Sequence, residues 1–146
     1  MSALIRKAQV DDLEGIYECL SQMVSWLPDK ESRQLISEKF FAQKNTLSVV
    51  AQHEDSTNSN KIVGFASLLF AIKVRGGLIG FIEDVIVDET YRDMKIGKEL
   101  VDVLLADAKQ LGIYKVMLEC SQENSGFYSK LGFEVSGLSM KWSKIV

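Results

Sequence analysis

Along the chain, hydrophobic positions alternate between a spacing of two and a spacing of three to four, and each change of spacing marks a new element. Leu4–Val10 reads as a short first strand. Asp11-Asp12-Leu13-Glu14 has the form of a capping box, with Asp11 accepting from early backbone N–H groups and Glu14 reaching back. Leu13, Ile16, Tyr17, Leu20, Met23, Val24 and Leu27 recur at helical spacing and predict one helix running up to Pro28, the only proline. Asp29 is placed to start a second helix, with Leu35, Ile36, Phe40 and Phe41 as its buried positions. Leu47–Gln52, Lys61–Ile72 and Leu78–Val87 read as three successive strands, an antiparallel meander. Their connections are the polar turn Asp55-Ser56-Thr57-Asn58-Ser59-Asn60 and Arg75-Gly76-Gly77. Ile96, Leu100, Val101, Leu104, Leu105, Ala108 and Leu111 form the stripe of a long helix that Gly112 can stop. Lys115–Cys120 reads as a strand, Asn124–Leu131 as a short helix, and Phe133–Val135 and Leu138–Trp142 as final short strands. The expected order is β-α-α-β-β-β-α-β-α-β-β, an α/β (α+β) chain.

Composition narrows the class. A length of 146 residues fits one domain, 1–146, and 47% hydrophobic with 25% charged residues is the profile of a globular protein. The net charge of -3 argues against a general nucleic-acid binder, which carries a basic face. Apolar runs such as Phe65–Ile72 fall far short of a membrane span, and Met1–Val10 has no signal-peptide core. His53 is the only histidine, and Cys19 and Cys120 lack metal-ligand spacing, so neither a histidine triad nor a metal site is expected. Reduced thiols and a cytoplasmic location are the expectation.

The most informative stretch runs from Tyr91 to Leu111. Val85-Ile86-Val87 ends a strand, Asp88–Lys95 is a charged connection, and Gly97 opens the long helix. A helix N-terminus presents unpaired N–H groups and the positive end of the dipole, so an anion such as a pyrophosphate is stabilised there. Arg92 and Lys95 add positive charge just before the turn, and Gly97 removes a Cβ from the path of the backbone toward phosphates.

Arg92-Asp93-Met94-Lys95-Ile96-Gly97 resembles the acyl-CoA signature Arg/Gln-x-x-Gly-x-Gly/Ala of the GNAT N-acetyltransferase superfamily, with Lys95 in place of the first glycine. Asn124-Ser125-Gly126-Phe127-Tyr128, followed by Leu131-Gly132-Phe133, is similar to that superfamily's second block. Glu83-Asp84 on the central strand and Tyr114–Cys120 with its terminal Glu119 narrow the likeness to the glucosamine 6-phosphate N-acetyltransferase family, clearly from Gly80 to Phe133 and faintly before. The resemblance implies a mixed, mostly antiparallel twisted sheet flanked by helices. It also implies acetyl-CoA as co-substrate, an amino-sugar phosphate as acceptor in UDP-N-acetylglucosamine synthesis, and a homodimer with shared sites in which Leu138–Trp142 meets a partner subunit. CoA contacts would come from Val85, Ile86, Val87, Arg92, Asp93, Met94, Lys95, Ile96, Gly97, Lys98, Asn124 and Tyr128. Sugar-phosphate contacts would come from Lys73, Glu83, Asp84, Val85, Tyr114, Lys115 and Glu119, with Arg75, Lys141 and Lys144 as further cations.

An amine attacking a thioester must be neutral and must afterwards lose a proton, which a carboxylate takes directly or through water. Glu83 is the first candidate and Glu119 the second. The N–H of Val85 would stabilise the oxyanion, and Tyr128 would protonate or hydrogen-bond the departing thiolate. Cys120 is set aside as a nucleophile because no histidine is near it in sequence. Two other readings stay open: acetylation of a different amine, such as a protein N-terminus or a polyamine, and a non-catalytic acyl-CoA-binding module.

Overall fold

The computed structural model describes residues 3–54 and 61–144. Five strands form one sheet in sequence order: β1 (Ala3–Lys7), β2 (Thr46–His53), β3 (Ile62–Lys73), β4 (Gly77–Val87) and β5 (Ile113–Leu118). The first four are antiparallel, and β5 joins β4 in parallel. That parallel pairing requires a crossover, which the long helix between them supplies. The helices are α1 (Leu13–Leu20), α2 (Lys30–Ala42), α3 (Ile96–Gln110) and α4 (Ser125–Lys130). The expected fold class is therefore observed. The turn read at Asp55–Asn60 lies outside the described residues.

Alternation along the strands divides the core between the two sheet faces. On one face Val49, Ala51, Leu68 and Ile82 pack against Ile96, Leu100, Val101, Leu104 and Ala108 of α3. On the other, Val50, Phe65 and Ile86 pack with Ile16 and Cys19 of α1, and Phe40 and Phe41 of α2 close its margin. The α3 stripe is thus the one its spacing predicts as far as Ala108, whereas Leu111 falls just past the helix and is exposed; Gly112 follows with φ +79°, a conformation glycine adopts without strain.

Six local expectations need correction. The first strand stops at Lys7, and Val10–Asp12 is a 3-10 turn. The capping interaction sits earlier than Asp11: the Gln9 N–H donates to the Asp12 carboxylate (2.8 Å). Helix α1 ends at Leu20, well before Pro28, because Ser21 Oγ donates back to the Glu18 carbonyl (2.6 Å) and Gln22 turns away to bond elsewhere; Met23 and Val24 are exposed. Asp29 does cap α2, accepting from the Ser32 N–H (2.8 Å), but Leu35 and Ile36 point outward, and Ser37 takes the buried position. The final two strands are absent from the sheet, and 134–144 runs without strand assignment. Val135, Leu138, Met140 and Trp142 are exposed there, because none of the described residues covers them. Strand β5 also begins two residues earlier than read and ends at Leu118, leaving Glu119 and Cys120 beyond the ladder.

Asp12 is also the anchor of β1. The Arg6 guanidinium grips its carboxylate with two hydrogen bonds (2.7 and 2.8 Å) and donates a third to the Gln52 side chain. Burial alone would raise the Asp12 carboxyl, but the Arg6 hydrogen bonds, the Gln9 N–H and the Arg6 charge outweigh it and hold the group below its ordinary value. The pair therefore stabilises the fold above the ordinary carboxylate range, and that contribution is lost as pH falls through the depressed Asp12 value. Arg6→Met is expected to lower unfolding stability by about 2–3 kcal/mol at pH 7. Denaturant titrations at pH 7 and at low pH check this: the gap between variant and wild type should shrink once Asp12 is protonated.

Candidate active site

The centre of the site is an irregularity in β4. Ser67 pairs with Glu83, and Phe65 pairs with Ile86, so Asp84 and Val85 together oppose the single residue Ala66. This is a β-bulge, and it obliges Asp84 to adopt φ +55°, an uncommon value for a residue with a side chain. An extra residue reverses the inward and outward sense of everything after it. Ile82 faces α3, whereas Ile86 faces α1, and Val85 and Val87 now turn toward α3. Ser67 Oγ–H donates to the Glu83 carbonyl (3.3 Å) and ties the bulge to β3.

At the same level the sheet opens. The β4–β5 ladder ends at Ile82–Leu118, while β4 continues to Val87. Glu83 and Asp84 stand at the mouth of this opening, with Glu119 just past the end of β5. Desolvation by the surrounding strands raises the Glu83 carboxyl above its ordinary value, and the negative charges of Asp84 and Glu119 raise it further. Desolvation also raises Asp84. Both side chains still reach solvent, so the effect is one of partial desolvation and crowding rather than enclosure.

Tyr128 of α4 lies near Cys120, just beyond the end of β5. Its ring packs edge-on against Phe127 (4.9 Å) and Phe133 (5.9 Å). Burial, followed by negative charge at Cys120, raises its phenol and keeps it protonated across the neutral range. Cys19, by contrast, is buried on the α1 face, and its thiol is pushed up to about 11, which makes it an inert core residue.

The connection from β4 to α3 is not an irregular loop but a 3-10 helix, Glu89–Met94. Asp88 caps it, accepting from the Thr90 N–H (2.9 Å). Burial alone would raise Asp88; the Thr90 N–H, the Gln22 amide and the Lys61 charge reverse this and keep it ionised. Arg92 Nε donates back to the Val87 carbonyl (3.3 Å). Lys95 then turns left-handed (φ +61°, ψ +20°) and serves as the N-cap of α3 without supplying a side-chain hydrogen bond to its first N–H groups. That end of the helix is therefore open to an anion.

The sequence profile described as the Acetyltransferase (GNAT) family matches residues 12–133. The chain belongs to the GNAT acetyltransferase family. It is 32% identical over 142 residues to the glucosamine 6-phosphate N-acetyltransferase of Arabidopsis thaliana, covering 93% of each chain. The crystal structure of glucosamine-6-phosphate N-acetyltransferase from the same plant superposes with a TM-score of 0.84 at 31% identity, covering 99% of each chain. A Trypanosoma brucei acetyltransferase superposes with a TM-score of 0.86 at 29% identity, over 97% of this chain and 99% of that one.

The two GNAT signature segments meet in space. A Cβ added at Gly97 would lie 3.3 Å from the Phe127 ring, so the glycine at the start of α3 makes room for α4. This contact joins the Arg92–Gly97 segment to the Asn124–Phe133 segment. Asn124 ends a 3-10 turn, its N–H donating to Ser121 Oγ (3.3 Å). Lys98 points along the helix to Asp102 (2.6 Å), an exposed i,i+4 pair.

The remaining expected residues form a separate group. Tyr114 and Lys115 open β5, where Lys115 pairs with Ile79, and the Tyr114 ring lies over Gly77. Lys73 pairs with Gly77 at the tip of the β3–β4 hairpin. At about 3.3 Å per residue, the four residues between Ile79 and Glu83 separate this group from the carboxylates by about 13 Å. Two residues of the site, Asp88 and Ser67, escaped the sequence reading, as did the bulge at Asp84. Asp88 was recognisable as a cap, since Asp-Glu-Thr is a helix-start pattern. The Ser67 bond and the bulge at Asp84 have no local signal, because they depend on register with β3.

Among the described residues no group of three His, Cys, Asp or Glu side chains is placed to hold a metal ion, and no helix is long and apolar enough to cross a membrane.

Proposed function

We propose that the chain transfers the acetyl group of acetyl-CoA to the amine of glucosamine 6-phosphate, giving N-acetylglucosamine 6-phosphate and CoA. The observation that carries this reading is the placement of Glu83 and Asp84 on a bulge where β4 parts from β5, with Glu119 close enough to raise the Glu83 carboxyl. The names of the 32%-identical relative and of the superposed plant structure point to the same acceptor.

Acetyl-CoA would lie along Val85–Val87, with its pyrophosphate at the open N-terminus of α3 between Arg92 and Lys98 and its arm beside Asn124. Negative charge there is favoured by the helix dipole and by Arg92 and Lys95. The neutral amine would add to the thioester carbonyl, forming the N–C bond and a tetrahedral oxyanion, whose collapse breaks the C–S bond and releases the CoA thiolate. A backbone N–H of the bulge, that of Val85 in particular, would meet the developing oxyanion. Glu83, or Glu119 through water, takes the proton lost by nitrogen, and Tyr128 O–H stabilises the departing sulfur. The raised Glu83 carboxyl makes it a stronger base than an ordinary glutamate.

The phosphate would be met by the basic group at the other end of β4 and β5. Lys73, Tyr114 and Lys115 stand about 13 Å along the sheet from the carboxylates and would serve the site of a second copy. The exposed apolar positions Leu138, Met140 and Trp142, and the position of β5 at the sheet edge, support a homodimer assembled through this region. Mass spectrometry of a mixture with acetyl-CoA and glucosamine 6-phosphate tests the reading. One acetyl group on the sugar nitrogen is the expected product, and an unmodified sugar beside acetylated peptide or polyamine would overturn it.

A further inference from the structure

The turn after α1 reaches across the molecule to the start of the phosphate loop. Gln22 lies in that turn, and its side chain makes two hydrogen bonds to residues 66 and 67 positions away: Nε2 donates to Asp88 Oδ2 (3.3 Å), and Oε1 accepts from the Glu89 N–H (3.0 Å). Asp88 is buried, its Oδ1 caps the Thr90 N–H, and its own N–H donates to the Val63 carbonyl (2.8 Å). The base of the 3-10 helix Glu89–Met94 is thus held on one side by β3 and on the other by Gln22. That short helix leads directly into Lys95 and the first N–H groups of α3. A tilt at its base moves Arg92, Lys95 and the open helix end together. The Gln22 amide satisfies both contacts, because it donates to a carboxylate through its nitrogen and accepts from an N–H through its oxygen at the same time.

We infer that Gln22 is a positioning residue for the pyrophosphate loop, holding Glu89–Met94 at the tilt that aligns Arg92 and the α3 N-terminus with CoA. This rests on the reading that the loop grips the CoA pyrophosphate. Gln22 touches no reacting atom, so its loss should appear in CoA affinity and leave turnover at saturation in place. The contact also has a reversible polarity. With Asp88→Asn alone, the amide at 88 and Gln22 cannot both be satisfied, since one of two donors always meets another donor. With Gln22→Glu alone, two carboxylates face each other. In the double variant Gln22→Glu/Asp88→Asn, the glutamate accepts from both the new amide and the Glu89 N–H, while the asparagine oxygen still caps Thr90.

Calorimetric titration of CoA into the wild type and these variants tests the inference. Gln22→Ala, Gln22→Glu and Asp88→Asn should each weaken CoA binding by about tenfold, the size of a lost hydrogen bond to a buried charge. Gln22→Glu/Asp88→Asn should return to within about threefold of the wild type, and kcat of Gln22→Ala at saturating acetyl-CoA should stay within about twofold. Unchanged CoA affinity in Gln22→Ala, with or without a lower melting temperature, would overturn the inference and mark Gln22 as a stability contact only. Additive losses in the double variant would also overturn it. A wild type that binds no CoA would remove the functional reading itself, a result distinct from either.

Discussion

Tyr128→Phe is expected to lower kcat by about a hundredfold and to leave CoA affinity within about twofold of the wild type. The hydroxyl is the only atom removed. The ring contacts to Phe127 and Phe133 remain, so α4 keeps its place against Gly97 and the fold keeps its stability. Burial and the neighbouring Cys120 hold the phenol protonated, the state in which it donates to a departing thiolate. A non-catalytic CoA-binding module would lose nothing by this change. Steady-state kinetics beside CoA titration therefore separates an acid from a packing residue, and unchanged kcat would assign Tyr128 to packing.

Glu83→Gln should cost turnover by a similar factor, about a hundredfold, with a change in the shape of the pH profile. Glu83 must be ionised to accept a proton. Its carboxyl is raised by desolvation, then by Asp84 and Glu119, so it gains that charge at a higher pH than an ordinary glutamate. The rate should accordingly rise with pH through the elevated Glu83 value. In Glu83→Gln the same limb should vanish, and only the titration of the amine itself should remain. Retention of the limb in Glu83→Gln would shift the role to Glu119, which Glu119→Gln would then show.

The parts of this molecule that depend on local chemistry were legible in its sequence. The α3 stripe and the Asp29 cap rest on spacing and on single side chains, and the structure has both where they were expected. The three central strands were placed to within a residue or two for the same reason. What could not be read depends on distant neighbours. Met23 and Val24 continue the α1 pattern, yet the chain leaves the helix where Gln22 finds partners at Asp88 and Glu89. Leu35 and Ile36 have the residue type of a core but lie on the outer side of α2. Leu138–Trp142 alternates like a strand and pairs with no strand among the described residues. The site divides along the same line. Glu83 lies within electrostatic reach of Glu119, and Tyr128 within that of Cys120, because these residues sit at the ends of adjacent elements. Tyr114 and Lys115 do not join them, because β5 runs parallel to β4 and its start lies at the opposite end from its finish.

The central claim is that the opening between β4 and β5 receives a phosphorylated amino sugar beside acetyl-CoA. The rate of CoA thiol release, compared for glucosamine 6-phosphate, glucosamine, a polyamine and a peptide with a free N-terminus, tests it most directly. Saturable release with glucosamine 6-phosphate, at a kcat/KM at least about a hundredfold above that of each other amine, is the predicted result. Release with the peptide or polyamine and none with the sugar phosphate would contradict it.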